Sequence, residues 1–167
     1  MERRTLENQL VALKLLLDEL GLRPQISTLN DRKRLQKSVY LAQIAGVDLG
    51  YRFSWYLRGP YSPSLTRDYF ALAKEIGMGD RTHEGKRLKN ALREHLEKIR
   101  PLLTVPEGVD LGQPSWLELL ASLHYLRQVR KESRSEAVQI LEKEKPTLAP
   151  YFEKAEGKLV TAGLLAA

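Results

Sequence analysis

Tyr51-Arg52-Phe53-Ser54-Trp55-Tyr56-Leu57-Arg58-Gly59-Pro60-Tyr61-Ser62-Pro63 is the stretch whose reading decides the fold. Tyr51, Phe53, Trp55 and Leu57 alternate with Arg52, Ser54, Tyr56 and Arg58. Period two with aromatic enrichment predicts a half-buried strand over 51–58. Gly59-Pro60 is predicted to break it as a turn. Ser62 then supplies an N-cap and Pro63 a first helical residue, with Leu65, Tyr69 and Leu72 forming the stripe of the helix that follows. A lone strand is not stable, so a partner is expected, either just before Thr82 or in Leu102–Val105.

Outward from this element the chain reads as helices. Leu6, Leu10, Leu13, Leu17 and Leu20 make one amphipathic face, with Thr5 as its cap and Gly21 at its left-handed end. A second helix is expected from Asn30 or Asp31, with Leu35, Val39 and Ala42 on one side and its end before Gly46. Its basic first turn opposes the helix dipole, a local conflict of the kind found at functional surfaces. Downstream, Thr82 is expected to cap a helix carrying Leu88, Leu92, His95, Leu96 and Ile99. Residues 101–114, with three prolines and two glycines, form the longest irregular connection. Ser115-x-x-Glu118 and Ser133-x-x-Glu136 both read as capping boxes, the first opening a helix with Leu119, Leu120, Leu123 and Leu126. The second box opens a helix ending before Pro146, and a last helix starts near Pro150 with Tyr151, Ala155, Leu159 and Ala162. The expected fold class is mainly α: a compact helical domain of about seven helices with a small β-hairpin, in which a winged-helix-like element is one option. Residues 1–167 read as a single domain, with 115–167 as a candidate C-terminal helical subdomain.

Composition narrows the functional classes. The 167 residues hold 27 basic and 21 acidic side chains, a net charge of +6. Each half carries +3, so the charge is spread along the chain. Basic clusters stand at Arg32-Lys33-Arg34 with Lys37, and at Arg127, Arg130, Lys131 and Arg134. With no cysteine, disulfides, thiolate zinc sites and cysteine nucleophiles are excluded. The first leucine run is interrupted by Lys14, Asp18 and Glu19, unlike a signal peptide, and a cytoplasmic protein without a membrane span is expected. His83, His95 and His124 lack metal-ligand spacing, and no nucleophile or phosphate-loop motif is present. The chain is therefore expected to be no enzyme and to need no cofactor or metal. The leucine-rich first helix offers either core or a homodimer seam.

Two readings of residues 35–72 stay open. Helix, strand and turn can simply pack on one another. Alternatively, Tyr56, Arg58, Tyr61 and Arg67, with Arg34 and Lys37 on the helix beside them, form an aromatic–cationic surface around the Gly59-Pro60 turn. Tyrosine and arginine are the residue types that most often anchor interfaces, and they also suit phosphate contacts and base stacking.

Lys33-x-Leu35-Gln36-Lys37-x-x-Tyr40-Leu41, the aromatic strand and Gly59-Pro60-Tyr61-Ser62 together resemble the Panacea family. That family includes SocA-like antitoxin domains and YwgA-like proteins, and the likeness covers about residues 31–75, closer to the YwgA-like branch. It implies a helical domain with a small hairpin that binds and neutralises a partner toxin, in some members by delivering it to a protease. The chain departs from the antitoxin members at Tyr61-Ser62, where a valine is frequent after the Gly-Pro, and in its long C-terminal half.

A second class competes. Arg81-Thr82-His83-Glu84-Gly85-Lys86 is similar to the wing-to-helix junction of winged-helix regulators, and residues 81–100 hold seven basic and three acidic side chains. In that reading residues 31–45 are the recognition helix, with Gln36, Lys37 and Ser38 facing bases, and Arg32, Lys33, Lys86 and Arg87 contacting nucleic acid.

Overall fold

The computed structural model describes residues 7–166. The fold is mainly α, with seven α-helices and one two-stranded antiparallel hairpin among the described residues. Helix α1 spans Asn8–Glu19 and α2 Leu29–Ile44. Strands β1 (Ser54–Tyr56) and β2 (Gly59–Tyr61) follow, then α3 (Pro63–Gly77) and α4 (Asn90–Glu97). The chain closes with α5 (Gln113–His124), α6 (Arg134–Glu144) and α7 (Phe152–Thr161). No helix among the described residues is long and apolar enough to cross a membrane.

Helix α5 is the axle. It packs against α2, α7 and β2, and Trp116, Leu117, Leu119, Leu120 and Leu123 are wholly buried. The core is one cluster from Leu10 to Leu165, in which Trp116 to Leu165 pack together with the N-terminal helices. Trp116 Nε1 donates to the Leu102 carbonyl at 2.9 Å, which pins the irregular connection onto α5. Past His124 the helix widens into a π turn, Tyr125–Val129, and it ends at Lys131, held at φ 60. Ser133 and Glu136 then form a reciprocal capping box for α6, matching the sequence expectation.

Several boundaries differ from the sequence reading. The partner strand is Gly59-Pro60-Tyr61 itself, with Trp55 opposite Pro60. A two-residue turn at Leu57-Arg58 suffices, and Gly59 at φ +87 allows the reversal. Neither suggested partner pairs: the 102–105 region holds the end of the 3₁₀ turn Arg100–Leu103, and residues 80 and 81 are irregular before a turn over 82–85. The alternation holds through Trp55 and stops at Leu57, which stands at the hairpin tip in solvent. Thr28, not Asn30 or Asp31, caps α2; Asp31 is its N3 partner, and this carboxylate offsets the basic first turn. Thr82 caps nothing helical, because Gly85 turns left-handed and α4 waits until Asn90. Ser115-x-x-Glu118 is no capping box either: α5 begins three residues earlier, with Gly112 at its N-cap and Pro114 in its first turn, and Glu118 is buried. Gly21 is left-handed as expected, whereas Thr5 and Leu6 lie outside the described residues.

Candidate functional site: a cation-floored groove beside the hairpin

The first half of α2, the hairpin and the first turns of α3 enclose a groove of about 360 Å³. Arg32, Lys33, Gln36 and Lys37 come from α2, Tyr56, Leu57, Arg58 and Tyr61 from the hairpin, and Thr66, Tyr69 and Phe70 from α3. Its shape follows from a set of side-chain-to-backbone bonds. Gln36 treats Ser62 as a strand treats its neighbour: Nε2 donates to the Ser62 carbonyl at 2.9 Å, and Oε1 accepts from the Ser62 amide at 3.0 Å. Ser62 Oγ in turn accepts from the Leu65 amide and caps α3. Lys37 Nζ donates to the Pro60 carbonyl at 2.7 Å, and Lys145 Nζ to the Leu57 carbonyl at 2.9 Å. A two-stranded hairpin leaves carbonyls of its outer edge and turn unpaired, and here Lys37 of α2 and Lys145, which caps the end of α6, supply donors.

Those lysines are buried, and so is their counter-ion. Lys33, Lys37 and Lys145 are 8%, 1% and 5% exposed, and Glu118 is 6% exposed. Glu118 Oε2 lies 3.1 Å from Lys145 Nζ, and Oε1 lies 3.1 Å from Lys33 Nζ, the latter an ionic contact without hydrogen-bond alignment. Arg58 adds a fourth cation at the mouth, exposed and without a hydrogen bond or ion pair among the described residues. Burial pushes the Lys37 amine down from its ordinary 10.5 to about 7, with Glu118 opposing the shift and Lys145, Lys33 and Arg58 adding to it. Among the described residues no carboxylate lies within ion-pairing distance of Lys37.

Around this floor the rim is apolar and open. Leu57 is 80% exposed and Tyr56 59%, with Leu29 and Phe70 also exposed at the groove. Tyr56 and Tyr61 lean on each other at 5.5 Å, and Thr66 Oγ1 donates to Tyr61 Oη. On the hairpin's other face, Trp55 stacks on Tyr125 of the π turn at 5.8 Å, with Arg130 and Lys145 over its ring. The hairpin also lies hard against α5: a Cβ on Gly59 would collide with Ser122 Oγ, itself buried without a hydrogen-bond partner.

The groove gathers Lys37, Tyr56, Arg58 and Tyr61 beside Gly59 and Pro60, four of the six side chains that the sequence groups as an interface. It also takes Arg32 and Lys33, which the sequence reading had assigned to nucleic acid; Arg32 Nη1 donates to the Ile26 carbonyl at 2.8 Å. Arg34 faces Asp31 at 3.8 Å and Arg67 is exposed on α3; neither lines the groove. Lys86 and Arg87 precede α4, and Arg87 pairs with Glu19 of α1 at 2.7 Å, also apart from the groove. Arg127, Arg130 and Arg134 bond to Glu132 or Glu156. Sequence reasoning missed Glu118, Lys145, Leu57 and Phe70. The one available signal was a carboxylate in the apolar run Trp116-Leu117-Glu118-Leu119-Leu120, where a surface charge has no place.

Elsewhere, Tyr40 Oη and His124 Nδ1 share a hydrogen bond of 2.7 Å inside the core, and burial lowers the imidazole to about 4, which keeps the ring neutral. No three His, Asp or Glu side chains gather as metal ligands among the described residues. Comparison with family models, curated proteins and solved structures found no match to this chain.

Proposed function

We propose that the chain is a non-catalytic interaction module that holds a segment of a partner protein in the groove, in the manner of an antitoxin or defence-type regulator. The observation that carries this reading is the coexistence of an exposed Tyr56–Leu57–Phe70 rim with lysines buried in the groove wall and Arg58 exposed at its mouth. Open tyrosines and leucines beside a preformed groove supply the apolar area that binding can bury, and the cations steer an acidic partner. The resemblance of residues 31–75 to the Panacea family points the same way, since the Lys33–Leu41 helix and the Gly-Pro element are the parts that build the groove.

Nucleic-acid binding is the other class, and the packing of α2 disfavours its winged-helix form. A recognition helix presents a free face to the major groove. Here Lys33 and every residue from Leu35 to Ala42 are buried, and Gln36 is spent on Ser62.

The experiment is affinity capture of the tagged protein from its native host, with and without nuclease, run in parallel with Leu57→Glu. A protein retained through nuclease treatment, lost with Leu57→Glu and rebound from purified components supports the reading. Recovery that vanishes with nuclease, or is indifferent to Leu57→Glu, overturns it.

A further inference from the structure

The charge in the groove is out of balance in a way that folding alone does not require. Lys33 and Lys145 share one carboxylate, Lys37 meets none within ion-pairing distance and its amine is pushed down to about 7, and exposed Arg58 stands at the mouth. An ammonium has three donors, yet Lys37 has a single acceptor, Pro60 O, and Glu118 is already divided between Lys33 and Lys145. Buried cations without counter-ions are costly, and the groove's remaining lining offers none, since no acidic residue belongs to it.

We infer that the groove selects a partner segment by one acidic side chain, whose carboxylate settles against the Lys33 and Lys37 ammonium groups while flanking apolar side chains cover Tyr56, Leu57 and Phe70. This rests on the interaction-module reading and names the chemistry of what is held. Charge complementarity fixes the acidic group, and the apolar rim fixes its neighbours. A phosphate backbone would satisfy the cations and leave Leu57 and Phe70 uncovered, so a protein segment is the better occupant. An arriving carboxylate also completes the set of groups facing Lys37: Lys33 from its own helix, Arg58 from the turn, Glu118 from α5 and Lys145 from the C-cap of α6. With that anion in place the charged amine is favoured, and the Lys37 titration near 7 moves upward.

The test titrates the purified full chain with acetyl-Leu-Asp-Phe-amide and with acetyl-Leu-Asn-Phe-amide, read by NMR at the lysine ε-methylene groups. The aspartyl peptide is expected to bind about tenfold or more tightly than the asparaginyl one and to raise the Lys37 titration midpoint. Arg58→Gln, at an exposed position, is expected to narrow that ratio while leaving the fold intact. Equal affinity for the two peptides, or no shift with either up to about 10 mM, overturns the inference. Inorganic phosphate binding more tightly than the aspartyl peptide overturns it as well and assigns the cations to a phosphate ligand. The Leu57→Glu capture experiment does not depend on Lys33 or Lys37, so a failed peptide ratio with an intact capture result removes the carboxylate and keeps the groove.

Discussion

Two clusters of charge on this molecule look alike in sequence and differ in consequence. At one corner, Glu19 receives Arg87 at 2.7 Å and Arg100 at 3.4 Å, and Arg100 also meets Glu97 at 2.7 Å. Two cations face two carboxylates, and most of the side chains reach water. At the groove, Lys33, Lys37 and Arg58 belong to the lining and Lys145 lies outside it, Glu118 pairs with Lys33 and Lys145 alone, and all but Arg58 are buried. The first arrangement is a balanced surface network whose energetic weight is small. The second is unbalanced and desolvated, a condition that a fold maintains at a cost and that marks a place where something else is meant to arrive.

That contrast breaks first at Glu118. Glu118→Gln leaves Lys33 and Lys145 buried without a counter-charge, and removing one member of a buried pair costs about 3–5 kcal/mol. Urea unfolding is expected to show a loss of this size. A loss below about 1 kcal/mol would mean that the cluster is hydrated like the Glu19 corner, and the contrast would dissolve.

The next effect sits where the hairpin touches α5. Gly59 and Gly50 are both left-handed, at φ +87 and +83. A Cβ on Gly50 meets nothing within 4 Å, whereas one on Gly59 strikes Ser122 Oγ. Gly50→Ala is expected to cost about 1–2 kcal/mol from backbone strain alone, and Gly59→Ala about 2–4 kcal/mol. Adding Ser122→Ala to Gly59→Ala is expected to recover the difference, because the Ser122 Cβ would stand at an ordinary 3.5 Å. No recovery would show that the collision is not what holds the hairpin against the helix.

Much of this was legible beforehand and some was not, for physical reasons. Helix count, the mixed character of the hairpin and the positions of Leu65, Tyr69, Leu119 and Leu123 in the core follow from periodicity, which reports burial directly. The pairing of β1 was hidden because Gly-Pro is ordinarily punctuation, and a three-residue strand has too few positions to alternate. Part of the groove was readable, since Tyr56, Arg58 and Tyr61 lie at the turn and Lys37 belongs to the basic cluster of α2. Glu118 and Lys145 were not, because they reach the hairpin from α5 and the end of α6, and local pattern carries no information about such distant partners. The same limit misplaced Lys33: beside Arg32 and Arg34 it reads as one solvated cluster, yet only its side chain of the three ends in an ion pair with Glu118.

A pH series sharpens the electrostatic half of the contrast. Lys37 titrates near 7 in the folded chain and near 10.5 when unfolded. Between those values the unfolded chain holds the extra proton, so stability rises with pH across that window and does not change with Lys37 below it. The slope contributed by one group is at most about 1.4 kcal/mol per pH unit. Unfolding of Lys37→Met, measured beside the wild type at several values from neutral to mildly alkaline, is expected to lack that portion of the slope. Parallel curves for the two proteins would mean that Lys37 is solvated and fully charged at neutrality.

The smallest expected effect tests the other side of the comparison. Arg87 is 67% exposed at its side chain, and its guanidinium holds the Glu19 carboxyl below the usual range chiefly through their hydrogen bond. Arg100 also reaches Glu19, through its carboxylate and its backbone carbonyl, so deleting Arg87 leaves the carboxylate paired. Arg87→Ala is therefore expected to cost less than about 1 kcal/mol, and added salt should erase most of that. A salt-insensitive loss near the Glu118→Gln value would place both clusters in the same buried regime. The excess of cations beside the hairpin would then be no more informative than any other charge on this chain.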